Sequence, residues 1–127
     1  MQRYPPDDPR EWLNRALSDF HLASTSPEGV YFEDLCFHTQ QAAEKAIKAL
    51  LIRRGVQFPY VHDLAQLLTL VERSGLPIPD NVRQAERLTR YAVMACYPGL
   101  EPRVNRPEYE EALTQSTDVV RWVEVNL

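Results

Sequence analysis

Four polar residues of one short stretch, FHTQQAAEKAIKAL at positions 37–50, could do chemistry together. At about 100° per residue, His38, Gln41, Lys45 and Lys48 fall within one narrow arc of a helix. Lysines neutralise phosphate, and glutamine amides read base edges or ribose hydroxyls. A second set follows. Arg83, Arg87 and Arg90 stand at i, i+4 and i+7, with Tyr91 beside the stripe and Tyr97 near its end. Arginine next to an aromatic ring can hold phosphate and stack on a base. Arg103 and Arg106 extend this set into the next loop. Both stripes also fit plain solvated faces, with Glu44–Lys48 and Glu86–Arg90 as ordinary i,i+4 ion pairs.

Phe37, Leu51 and Ile52 fall on the otherwise polar side of the 37–50 helix. Apolar residues at both ends of a polar face point to a surface that covers it. A homodimer contact through Phe37, His38, Gln41 and Leu51 is the simplest candidate. No catalytic set is expected. The four glycines all sit at breaks, so no phosphate-cradling glycine loop exists. His21, His38 and His62 lie on three different helices or their ends, which argues against a metal site, and no cofactor is expected. Cys36 and Cys96 have no zinc spacing.

The elements that must position these residues all read as helix. The periodicity predicts helices over about 9–25, 30–54, 62–74, 80–97 and 107–126. Asp8-Pro9 caps the first, whose stripe is Leu13, Ala16, Leu17, Phe20 and Ala23. The second carries an apolar half rich in alanine, which lets a neighbour approach closely, and Gly55 ends it. VQFPY links it to a third helix opened by His62-Asp63, with Leu64, Leu67, Leu68 and Val71 inward. Asp80 or Asn81 caps the fourth, with Val82, Ala85, Leu88, Ala92 and Ala95 inward and Tyr97-Pro98-Gly99 at its end. After a loop with Pro102, the last begins with acidic residues, as the helix dipole favours. Short links between amphipathic helices favour antiparallel neighbours. The expectation is a single all-α domain over 1–127, an up-and-down antiparallel bundle of four to five helices.

The chain has 127 residues, 44% apolar, enough for one core and too apolar for global disorder. Its net charge of −4 argues against a general nucleic-acid coat, yet the charge is zoned. Residues 45–54 are basic, 81–106 hold five arginines, and 107–127 are acidic. No run is long enough to cross a bilayer, and MQRYPPDDPR has no signal-peptide core, so the protein is expected in the cytoplasm with reduced cysteines.

Trp12, Ala16 and Asp19, the block Phe37 to Leu50, then Val61-His62-Asp63-Leu64 and Tyr97-Pro98 together resemble the HEPN domain family, named for higher eukaryotes and prokaryotes nucleotide-binding. The resemblance covers residues from about 10 to 125. It implies a helical bundle, usually a dimer. Many small prokaryotic members are paired with a minimal nucleotidyltransferase, some as toxin and antitoxin, and others are proposed to bind nucleotides. Active members are metal-independent ribonucleases with an arginine and, a few residues on, a histidine late in the bundle. There the histidine moves protons and the arginine stabilises phosphorane charge. Here that spacing occurs only at Arg15 and His21, on the first helix, and no histidine follows His62. Where related chains read Arg-Tyr-Pro, this one reads Cys96-Tyr97-Pro98. The resemblance and the two stripes together suggest a non-catalytic nucleotide- or RNA-binding partner module, with Lys45, Lys48, Arg83, Arg87, Arg90, Tyr91 and Tyr97 of the stripes as its contacts. The alternatives are a ribonuclease toxin with a non-standard site and a purely structural dimeric module.

Overall fold

The computed structural model describes residues 1–97 and 103–127. Pro98-Gly99 and Pro102, expected at a break and a loop, lie outside the described residues. Six α-helices and one 3-10 segment make up the regular structure of the described residues, and none of these residues is in a strand. Helix α1 spans Pro9–Thr25, with Pro9 at its start and the Asp8 carboxylate accepting from the Arg10 amide. Helix α2 runs from Phe32 to Arg53. It stops at Gly55, whose φ of 70° is open to glycine at little cost. There the Val56 amide donates to Leu51 O and the Gly55 amide to Ile52 O, the paired bonds of a Schellman motif. Asp63 caps α3, Leu64–Arg73. A capping box of Asn105 and Glu108 opens α6, Arg106–Asn126.

The region expected as one helix over 80–97 is three pieces. A single turn, α4 (Asp80–Arg83), leads into a 3-10 segment, Gln84–Leu88, and then α5, Thr89–Cys96. The inward residues explain the break. Val82, Ala85, Leu88 and Tyr91 are all buried and stand every three residues, the period of a 3-10 helix and not of an α-helix. Following that period turns Tyr91 into the core and leaves Ala95, expected inside, exposed.

Helix α2 is the axis of the bundle. Ala42, Ala43, Ala46 and Ala49 are fully buried along it, and their small side chains let neighbours close in. Helix α1 lies antiparallel to it: Asp8 and Arg53 line one cleft, and Asp19 meets His38 and Lys45 further along. Helix α6 runs in the same direction as α2, because Phe32 stacks on Tyr109 at one end and Ser116 bonds Thr39 O midway. Helix α3 also follows α2, since His62 at its start meets Glu44 while Ser74 at its end meets Arg54. Helices α4 and α5 return antiparallel to α3, with Arg83 near Glu72 and Thr89 receiving the Leu64 amide.

One connection therefore departs from strict up-and-down order. The segment 56–63 leaves the far end of α2, runs back along it, and starts α3 beside Glu44. This strap, VQFPY followed by Val61-His62, brings the rings of Phe58 and Tyr60 to Lys48 of α2. Among the described residues, no helix is long and apolar enough to cross a membrane.

Candidate functional site

The polar side of α2 is a covered seam. Gln40, Glu44 and Lys48 stand one turn apart, and all three are buried. Gln40 Nε2 donates to Glu44 Oε1 at 2.9 Å. Lys48 Nζ donates to Glu44 Oε2 at 3.0 Å. His62 Nδ1 lies 2.8 Å from Glu44 Oε1, and Gln40 also reaches His62 O at 3.4 Å. Three rings surround the Lys48 ammonium: Trp12 of α1 at 6.0 Å, and Phe58 and Tyr60 of the strap at 5.6 and 5.8 Å. Cation–π attraction there replaces part of the lost hydration. Burial pushes the Glu44 carboxyl up, but hydrogen bonds from Gln40, His62 and Lys48, with the Lys48 charge, together hold it below its ordinary value.

Towards α1 the seam holds a second cluster. Asp19, mostly buried, receives Lys45 Nζ on Oδ2 at 2.6 Å and faces His38 Nδ1 through Oδ1 at 3.0 Å. Gln41 donates to Gln40 Oε1 at 2.6 Å. The four-residue arc is therefore neither a bare phosphate site nor a solvated face. Each lysine is neutralised by a carboxylate of its own chain.

The arginines are disposed differently. Arg83 reaches Glu72 of α3 at 3.3 Å, and Arg87 reaches Glu111 of α6 at 3.7 Å with both side chains largely in solvent. Exposed Arg90 donates to the Tyr91 hydroxyl at 2.7 Å. Among the described residues, these arginines share no carboxylate with Lys45 or Lys48, which are paired with Asp19 and Glu44. Glu86, expected to pair with Arg90, forms no ion pair with it among the described residues, where Arg90 turns to Tyr91 instead. Tyr91 cannot stack on a ligand, because it is buried; burial pushes its phenol to about 12, and the thiol of its neighbour Cys36 to about 12 as well. Tyr97, just past α5, is well exposed. Arg106 stands over the Phe32 ring at 5.2 Å and near Glu110 at 3.8 Å.

The expected contact residues also separate. Phe37, His38 and Gln41 are partly exposed, Phe37 tilted against His38 with ring centroids 5.6 Å apart. Leu51 is fully buried inside the protomer, which takes it off any contact face. A two-sided reading of α2 misplaces it, because a helix packed by α1, α3, α5 and α6 is covered nearly all round. Among the described residues, no group of three His, Cys, Asp or Glu side chains gathers as metal ligands would.

Periodicity alone does not point to Asp19, Trp12, Phe58 and Tyr60 as partners of this seam. One signal is nevertheless present in the sequence. Asp19 lies at the edge of the apolar stripe of α1, beside Trp12 and Ala23, where an acid needs a buried partner.

Fold and seam define a class: a helical bundle built round one central helix whose polar side is closed by internal ion pairs. The chain belongs to the HEPN domain family, whose model matches residues 9–126. It is similar to the crystal structure of TT1696 from Thermus thermophilus, at 32% identity and a TM-score of 0.78, over 94% of this chain and 98% of that one. It also resembles ST0689, an archaeal HEPN homologue, at 24% identity and a TM-score of 0.74, over 98% of each chain, a likeness of fold. Among curated proteins no relative matches.

Proposed function

We propose that this chain is a non-catalytic module that binds a nucleotide or RNA through phosphate contacts from Arg87 and Arg90, with Tyr97 as a stacking surface. It works as a homodimer beside a minimal nucleotidyltransferase, in a pair of toxin–antitoxin type. The observation that carries the binding part is the contrast in how the cations are held. Lys45 and Lys48 are tied to buried carboxylates at 2.6 and 3.0 Å, whereas among the described residues Arg87 has only an exposed partner at 3.7 Å and Arg90 only a phenol. An exposed ion pair is worth about 0–1 kcal/mol, so a phosphate displaces it readily. Arg83 and Arg106, each near an exposed glutamate, flank the pair on the same reasoning.

The non-catalytic reading rests on the sequence: no histidine follows His62, and the one Arg–His spacing of the family type, Arg15 and His21, lies on the first helix, where Arg15 is paired with Glu11 at 3.1 Å. Family membership supports the dimer, and the partner rests on the resemblance of the sequence to small members paired with a nucleotidyltransferase.

Binding of a labelled single-stranded RNA and of a labelled nucleotide, measured by anisotropy at low salt, tests the reading. Arg87→Glu with Arg90→Glu weakens binding by at least about tenfold and flattens its salt dependence, while Lys45→Gln leaves it near wild type. Equal affinity of the double variant and wild type removes these arginines from the site. Failure to co-purify with a nucleotidyltransferase encoded beside it removes the partner.

A further inference from the structure

The strap is held to the bundle unlike any helix in it. Among the described residues, of the backbone amides from Gln57 to His62 only Val61 donates to another backbone group, and that bond stays within the strap, to Pro59 O. Val56, Phe58 and Val61 pack against the core only in part, while Gln57, Pro59, Tyr60 and His62 are exposed and Tyr60 is as open as in an extended chain. Beyond the turn at Gly55, the strap reaches α2 by polar contacts at one residue alone, His62, through its ring to Glu44 and its carbonyl to Gln40. Both ends are pinned, by the Gly55 turn behind and the Asp63 cap ahead. A segment with few backbone bonds and thin packing opens at lower free energy than the helices around it.

What lies beneath is an unusual thing to cover. The Lys48 side chain is almost wholly buried, and among the described residues its ammonium has one hydrogen bond and three rings, two of them on the strap. We infer that residues 56–62 form a lid over Lys48, latched by His62 on Glu44, that opens and closes while the helical bundle stays folded. Opening carries Phe58 and Tyr60 away and delivers the Lys48–Glu44 pair to solvent. Trp12, on α1, and Gln40, on α2, remain in place. The lid is independent of the arginine site, since Arg87 and Arg90 make their polar contacts with neither the strap nor the seam.

The sequence offers a direct probe, because Lys45 and Lys48 are its only lysines. Cys36 is buried and Cys96 exposed, so thiol labelling of Cys36 reports unfolding of the bundle in the same sample. The full chain is treated with an amine-acylating reagent and a maleimide, and peptides are quantified by mass spectrometry. In the wild type Lys45 and Cys96 react, and Lys48 and Cys36 lag. In His62→Ala, Lys48 acylation rises by about tenfold relative to Lys45 while Cys36 stays protected, the pattern of local opening. His62→Gln, which keeps a donor for Glu44, returns much of the protection. Tyr60→Ala, the loss of an exposed ring, also raises Lys48 reactivity and serves if His62→Ala folds poorly. Unchanged Lys48 reactivity in both alanine variants overturns the latch. A rise of Lys48 only in step with Cys36 overturns the lid, because opening is then global.

Discussion

Lys48 Nζ lies 3.0 Å from Glu44 Oε2, and both side chains are almost wholly buried. A surface i,i+4 pair of this kind is worth a few tenths of a kcal/mol. This one is a buried pair with further partners, and the difference is measurable. Removing one member leaves the other buried without its ion-pair partner, at a cost of about 3–5 kcal/mol. Lys48→Met and Glu44→Gln should each destabilise the protein by about that amount in urea denaturation. The double variant should lose much less than the two singles added together. Additive losses would show that the two side chains do not act as a pair.

The same carboxylate sets an acid limb. Its folded value sits below the ordinary one, although burial alone pushes it up, because Gln40, His62 and Lys48 all favour the ionised form. A depressed carboxylate stabilises the fold fully above its unfolded value, about 4.3, and that stabilisation is lost as pH falls through the folded value. Urea midpoints measured from neutral pH down to the acid range should fall below about pH 4 in the wild type. In Glu44→Gln the curve starts lower and is shallower. Parallel curves would assign the acid limb to other carboxylates, of which Glu11, held down chiefly by the Tyr4 amide, is the first candidate.

How much of this was legible in the sequence depends on what each residue faces. Caps and breaks are local chemistry, so Asp8-Pro9, Gly55 and Asp63 mark helix ends in the sequence as in the fold. The all-α class follows from periodicity alone. Sidedness of α2 does not, because the wheel assumes one wet face, and here α1 and the strap cover it. Glu44 and Lys48 read as a solvated ion pair, or Lys48 as a phosphate ligand, for that reason. The stripe Arg83, Arg87 and Arg90 assumes 3.6 residues per turn across a segment that tightens to three. That difference moves Tyr91 from beside the stripe into the core and sends Arg83 and Arg87 to different helices.

Phe37 and Leu51, grouped together by the helical wheel, should now behave oppositely. Leu51→Ala empties a fully buried site and should cost about 2–5 kcal/mol while leaving the elution volume of the folded protein unchanged. Phe37→Asp places a charge on a partly exposed position and should convert a dimer to a monomer with little loss of stability. Light scattering coupled to size exclusion reads both. A Phe37→Asp protein that keeps the wild-type mass moves the contact to another face.

Gly55 tests the turn that launches the strap. Its φ of 70° is the left-handed conformation, and a Cβ built there meets nothing within 4 Å. Space is therefore not the issue, and only the backbone conformation opposes a side chain. Gly55→Ala should cost about 1–2 kcal/mol, the usual difference for a non-glycine residue in that region. Gly55→Asn should cost less, because asparagine tolerates the left-handed conformation better than alanine. The energetic loss should fall on the whole bundle, since the turn is bonded to Leu51 O and Ile52 O at the end of the central helix. Chemical denaturation of the three proteins gives the order directly. Equal stability of the alanine and asparagine variants would mean that the turn relaxes to a different conformation, and the strap would then start from a different register.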